Sequence, residues 1–132
     1  FYDMSKIAIN TNDAPSAIGT YSQAIISEGL VFISGQIPFD PQSNSLVEGD
    51  RSTQIRRTFQ NLANIAESSG SSLNDCLKLT IFVLNLKDFD LINVTMKEFF
   101  SEPYPARSVV EVKSLPKSVP LGIDAILALS RK

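Results

Sequence analysis

The chain has 132 residues, of which 43% are hydrophobic and 20% charged, with a formal net charge of −2 and no histidine. This size and composition are typical of one globular domain with a substantial core, here residues 1–132. The charge balance gives no reason to expect a nucleic-acid partner, and the lack of histidine excludes Ser-His and Cys-His catalytic pairs and nearly every zinc site.

The hydrophobic periodicity predicts six strands and two helices. Alternating apolar residues indicate strands, and the pair Glu28-Gly29 is typical of a hairpin turn between the second and third. Gly70 ends the first helix and Pro103 follows the second. The segment 40–50, rich in Pro, Asn, Ser and Gly, is predicted to be an exposed loop. The predicted strands are 6–9, 23–27, 30–34, 77–83, 108–112 and 121–129, and the predicted helices are 52–68 and 88–100.

The order β-β-β-α-β-α-β-β predicts an α+β fold with two helices on one face of a mixed sheet. Each predicted helix has one apolar stripe. Segments 30–33 and 123–129 are largely apolar on both faces of their strands, so two helices cannot cover all of this surface. The uncovered face predicts an oligomer. The inward positions expected on the helices are Ile55, Phe59, Leu62, Ile65, Ala66, Phe89, Ile92, Met96 and Phe99.

Two charged residues lie in predicted strands near the end of the chain. Arg107 opens one strand, and Asp124 interrupts the next on the face opposite Ile123 and Ala125. An acid in the middle of a strand must reach water, a cation or a ligand, because burial of an unpaired carboxylate is too costly. Two interpretations remain open: a solvent-facing carboxylate on an amphipathic strand, or a charged pocket in which Arg107 clamps an anion.

Other residues are weaker candidates. Gly35 follows a strand and would either present a bare N–H to a ligand or mark a bulge. Tyr21 follows a glycine loop and suits a pocket rim or simple packing. Asn93 lies on the polar side of the second predicted helix, where a solvated amide is the simpler interpretation. Cys76 opens a strand and is expected to be a small buried residue.

The single cysteine excludes an internal disulfide and suits a reducing compartment such as the cytoplasm. No apolar run approaches the length of a membrane span. In the first segment, 1–5, either residues 1–3 precede a native start at Met4 or the whole segment forms the mature end of a cleaved precursor. A mitochondrial location fits the second case.

Six segments together resemble the reactive intermediate (imine/enamine) deaminases, also known as translation-inhibitor or liver perchloric-acid-soluble ribonuclease proteins. They are IGTYSQAI, VFISGQIPFDP, NDCLKLTIFV, INVTMKEFF, PARSVVEV and LPKSVPLGIDAI, and they extend over essentially the whole chain. The resemblance implies a chorismate-mutase-like fold of the bacillus type, a homotrimer and pockets between subunits. It also implies hydrolysis of 2-imino acids, derived from 2-aminoacrylate and 2-aminocrotonate, to 2-keto acids and ammonia, without a cofactor or metal.

The resemblance also implies roles for individual residues. Arg107 would clamp the substrate carboxylate with help from the backbone at Gly35 and Val109. Tyr21, from the adjacent subunit, and Asn93 would line the pocket. Asp124 would orient the attacking water and shuttle its proton.

Three features depart from the family pattern. Asp124 stands where the family usually has a glutamate, Val109 where it often has a cysteine, and the loop 101–104 is short. A carboxylate displaced by about 1 Å can cost ~10²-fold in rate.

Two other classes of function remain to be distinguished. One is a regulatory trimer that binds small carboxylates without turnover, which an ammonia-release assay would separate from a deaminase. The other is an RNA-cleaving translation inhibitor, which the net charge, the absent histidine and the lack of an aromatic platform disfavour.

Overall fold

A mixed six-stranded sheet is the central element of the computed structural model, which describes residues 5–130. The strand order is β1-β2-β3-β8-β6-β7, and only the β6–β7 pair is parallel. The elements are β1 Ile7–Ile9, β2 Ala24–Ser27, β3 Leu30–Gln36, β4 Phe39–Asp40, β5 Ser45–Leu46, α1 Arg51–Ser68, β6 Cys76–Val83, α2 Phe89–Phe99, β7 Ala106–Glu111 and β8 Leu121–Ala128. The expectation for segment 1–5 falls on residues that, apart from Ser5, lie outside the described range.

Both helices pack on one face of this sheet, as the sequence predicted. Helix α1 begins at the N-cap Asp50, whose side chain accepts a hydrogen bond from the Thr53 N–H at 2.9 Å. An ion pair of 2.8 Å between Arg56 and Glu98 links α1 to α2 on the solvent side. Neither helix is long and apolar enough to cross a membrane within the described residues. The core between helices and sheet contains Val31, Ile33, Ile55, Phe59, Leu62, Ile65, Ala66, Leu79, Ile81, Ile92, Ile123 and Leu127.

Two sequence predictions need correction. Segment 40–50 is not entirely loop, because β4 and β5 form a small antiparallel hairpin. Asp40 organises its turn by accepting a hydrogen bond from Gln42 N at 2.7 Å, and Asn44 takes a positive φ of 54°. Phe89 does not point into the core: it is 38% exposed and stacks on Arg107 instead.

The second face of the sheet has no helix over it in a single chain. Phe32 and Val110 are each 42% exposed on this open face. A polar row crosses its centre, since Asp124 of β8 lies opposite Thr80 of β6, and Thr80 lies opposite Ser108 of β7. The open face therefore combines exposed apolar side chains with a few polar groups, which is the composition expected of an interface.

We expect the protein to be an oligomer, specifically a trimer, that buries this open face. Sedimentation equilibrium at micromolar concentration should give three times the chain mass. Replacement of Phe32 by Asp should shift the protein toward monomer, because it places a charge in the buried interface. A stable wild-type monomer at these concentrations would contradict the prediction.

Candidate functional site

Arg107 projects from β7 toward α2, on the helix-covered side of the sheet. Its Nη1 donates a hydrogen bond to Asn93 Oδ1 and lies 3.4 Å from Met96 Sδ. The guanidinium carbon is 5.1 Å from the centre of the Phe89 ring. A cation–π contact, the hydrogen bond to Asn93 and the contact with the Met96 sulfur fix the plane of the guanidinium. Its other N–H donors have no partner among residues 5–130 and are open to a ligand.

Arg107 and Asn93 line an open depression of about 520 Å³. The other lining residues are Met96, Lys97, Tyr104 and Pro105, so the depression contains two cations and no carboxylate. Because β7 is an edge strand, its outer backbone N–H and C=O groups are also available beside Arg107. Val109, two residues along and half-buried, faces the same side as Arg107. This arrangement is suited to binding a planar anion such as a carboxylate.

Tyr21 and Gly35 line a second, smaller depression of about 120 Å³, and Gly35 lies near the end of β3. Tyr21 is 51% exposed, and its hydroxyl accepts a hydrogen bond from Ile18 N at 3.3 Å. A side-chain carbon added at Gly35 would meet no atom within 4 Å. Internal packing therefore does not require a glycine there, and the space beside it is free. The register also shifts between Ile33 and Gln36, which confirms a bulge at this point.

These two depressions do not form one pocket within a chain. Gly35 lies in β3 and Arg107 in β7, with β8 and β6 between them. Three strand spacings amount to about 14 Å, which is more than a small acid can bridge. The structure thus places Arg107 beside Asn93, and it places Tyr21 in the same depression as Gly35. Within one chain these two pairs lie apart.

The expected juxtaposition of Arg107 and Asp124 is absent within one chain. Arg107 pairs with Leu79, which pairs with Ala125, so the neighbour of Arg107 across the sheet is Ala125 and not Asp124. Because side chains alternate between faces, Asp124 points to the open face and Arg107 to the opposite one. The correction follows from the register of three strands.

Asp124 lies in the polar row of the open face. Partial burial raises the pKa of its carboxyl above the usual value, while Thr80 and the Lys78 ammonium act in the opposite direction. The Lys78 Nζ lies 3.3 Å from Thr80 Oγ1 and 3.5 Å from Ser108 Oγ. Asp124 therefore belongs to a local polar cluster away from the Arg107 depression.

Cys76 is buried, as expected, and is unsuited to nucleophilic chemistry. Burial raises the pKa of its thiol to about 11, so the reactive thiolate is scarce at neutral pH. Within the described residues no three His, Cys, Asp or Glu side chains are grouped to hold a metal ion.

Lys97, Tyr104 and Pro105 of the Arg107 depression were not singled out from the sequence. Phe89, Asn93 and Lys97 are spaced four residues apart and therefore follow one stripe of α2. That spacing is a usable signal in the sequence, but the apolar character of Phe89 favours a core position instead. Tyr104 and Pro105 belong to a connection whose path could not be predicted from composition.

We expect Asp124→Asn to be at least as stable as the wild type at neutral pH. A carboxyl whose pKa is raised on folding contributes stability below its unfolded-state pKa of about 3.9, and this contribution is lost as the pH rises through the folded-state pKa. An amide does not titrate, so the Asp124→Asn variant does not lose stability in this way. The Tm difference between the variant and the wild type should therefore shrink as the pH falls toward 4. Circular-dichroism melting between pH 3.5 and 7.5 tests this, with Glu48→Gln as the exposed control. A variant that is less stable than the wild type at pH 7 and equal to it at pH 4 would contradict a raised pKa of Asp124 in the folded state.

Comparison with known proteins identifies the family. The profile described as Endoribonuclease L-PSP matches residues 11–129. A RutC family protein of Pyrococcus abyssi is 44% identical over 93% of this chain and 97% of its own length. The 2-iminobutanoate/2-iminopropanoate deaminase of Salmonella typhimurium is 44% identical, with coverage of 93% and 97%. The crystal structure of Escherichia coli TdcF with bound serine superposes with a TM-score of 0.89 at 42% identity, covering 95% of this chain and all of that one. The chain belongs to the Endoribonuclease L-PSP family, which includes the reactive intermediate deaminases.

Proposed function

We propose that this protein hydrolyses 2-imino acids to 2-keto acids and ammonia. The observation that carries the proposal is the Arg107 guanidinium, which is oriented by Asn93 and Phe89 in an open depression free of acidic side chains. Relatives at 40% and 44% identity named as 2-iminobutanoate/2-iminopropanoate deaminases support the same reaction. Small 2-imino acids carry the carboxylate that this depression is suited to bind.

In this proposal Arg107 binds the substrate carboxylate through its free N–H groups and positions the C=N carbon beside β7. Water adds to that carbon, both protons of the water pass to the nitrogen, and the C–N bond breaks to release ammonia as the C=O bond forms. The reaction needs no change of oxidation state, so a redox cofactor has no role to fill.

A second copy of the chain completes the proposed site. Gly35 of one chain lies about three strand spacings from its own Arg107, and Tyr21 lines the depression beside Gly35, so both would serve the Arg107 of a neighbour. The Tyr21 hydroxyl and the backbone at Gly35 would then orient the attacking water and the C=N group of the substrate. A homotrimer with sites between subunits supplies this geometry three times.

A binding function without turnover is the second candidate. It is favoured by one observation: the Arg107 depression of a single chain contains no carboxylate to act as a general base. Ammonia release from freshly generated 2-aminoacrylate, measured against semicarbazide competition, distinguishes the two functions. The enzyme removes the imine faster than semicarbazide alone, whereas a binding protein leaves the rate of semicarbazone formation unchanged.

We expect Arg107→Lys to lose most activity while keeping the fold. Lysine retains the charge but not the planar fork, so the bidentate hold on the carboxylate is lost, at a cost of ~2–5 kcal/mol if the pair is desolvated. Both kcat/KM and the affinity for a 2-keto acid should fall. The Tm and the oligomeric state serve as controls. A variant that deaminates at the wild-type rate would show that a group other than Arg107 binds the substrate carboxylate.

We expect Asp124→Asn to keep kcat within about twofold of the wild type, because its carboxylate lies across the sheet from Arg107. Stopped-flow measurement of imine hydrolysis at pH 7 and 8 provides the test. A tenfold or larger fall in kcat with unchanged 2-keto-acid affinity would restore the water-orienting role that the sequence suggested, with Asp124 supplied by a neighbouring chain.

A further inference from the structure

The Arg107 depression contains a second cation, Lys97, whose presence the proposed reaction on monocarboxylic imines does not explain. Lys97 lies one helical turn after Asn93, the residue that holds Arg107. Residues four apart on a helix have Cβ atoms about 6 Å from each other, so Lys97 extends the same stripe toward the last turn of α2. Both cations line one depression.

No acid among the described residues neutralises this pair of cations. The ion pairs formed within residues 5–130 are Arg51–Asp88 and Arg56–Glu98, and neither involves Lys97 or Arg107. Glu98, the sequence neighbour of Lys97, is held by Arg56 at 2.8 Å. Glu111, which lies in the same strand as Arg107, accepts a hydrogen bond from Leu86 N at 2.9 Å. Glu98 and Glu111 are therefore engaged elsewhere, and the side chains that line the depression carry a local positive charge on a chain whose net charge is −2.

The depression also has room for a ligand that contacts both cations. Arg107 and Lys97 line the same space, about 520 Å³ in a single chain, and Met96, Tyr104 and Pro105 add apolar surface to it. Lys97 in the last turn of a helix also interacts favourably with the helix dipole, but that role does not require a shared depression with Arg107.

We infer that Lys97 is a specificity residue that directs this site toward dicarboxylic 2-imino acids of four or five carbons. This inference rests on the proposed function and specifies its substrate class. Arg107 holds the carboxylate next to the C=N carbon, and Lys97 holds the distal carboxylate. The overall reaction is unchanged: water enters, ammonia leaves, and a dicarboxylic 2-keto acid is formed.

The test compares binding of two stable keto acids, 2-oxoglutarate and 2-oxobutanoate, by isothermal titration calorimetry on the intact oligomer. The wild type should bind 2-oxoglutarate about tenfold or more tightly than 2-oxobutanoate, because one more charge-assisted contact is made. Lys97→Met should remove that preference without weakening 2-oxobutanoate binding, and Lys97→Arg should retain it. Lys113→Met, which alters an exposed lysine six residues beyond Arg107, is the matched control and should behave as wild type.

The same variants, assayed for deamination of the corresponding imines, separate this inference from the proposed function. A wild type with equal affinity for both acids, or a Lys97→Met variant that keeps the preference, overturns the role of Lys97 even if imines are hydrolysed. A preference for 2-oxoglutarate that depends on Lys97, without hydrolysis of either imine, supports the dicarboxylate site and overturns the deaminase proposal. Melting temperatures identify any variant whose binding changes only because its fold is weakened.

Discussion

The alternation of side chains across a sheet with helices on only one face determines the rest of this structure. Residues that face α1 and α2 form the core, and residues that face away form the open face with its exposed Phe32 and Val110. The same alternation directs Arg107 toward α2 and Asp124 away from it. One constraint therefore explains both the surface available to other copies and the separation of the two charged residues.

The environment of Arg107 shows how a mainly structural helix also builds a site. Ile92 and Met96 of α2 are buried in the core, whereas Phe89, Asn93 and Lys97 follow the adjacent stripe toward β7. Packing fixes the helix, and the helix then fixes the amide that bonds to Arg107. The Arg107 guanidinium is held by an amide, a ring and a thioether sulfur. Because no carboxylate is among the lining residues, its charge stays available for a ligand.

The order of the two helices and the six strands of the main sheet, and the core positions of α1, could be predicted from the sequence because they depend on local periodicity. All the expected α1 core residues, Ile55 to Ala66, are fully buried. The relation between Arg107 and Asp124 could not be predicted, because it depends on the register of β7 on β6 and of β6 on β8, and a slip of one residue exchanges the two faces. Phe89 was misassigned because hydrophobicity alone does not distinguish a core ring from one stacked on a cation.

In the proposed site one chain supplies the Arg107 half and a neighbouring chain supplies the Tyr21 half. Mixed oligomers of Arg107→Ala and Tyr21→Ala chains test it most directly, after unfolding and joint refolding, with native mass spectrometry to verify mixing. Each variant alone should be nearly inactive in imine hydrolysis, and the mixed oligomers should regain activity because some neighbours pair an intact Arg107 with an intact Tyr21. Verified mixed oligomers with no more activity than the separate variants would contradict a site shared between chains.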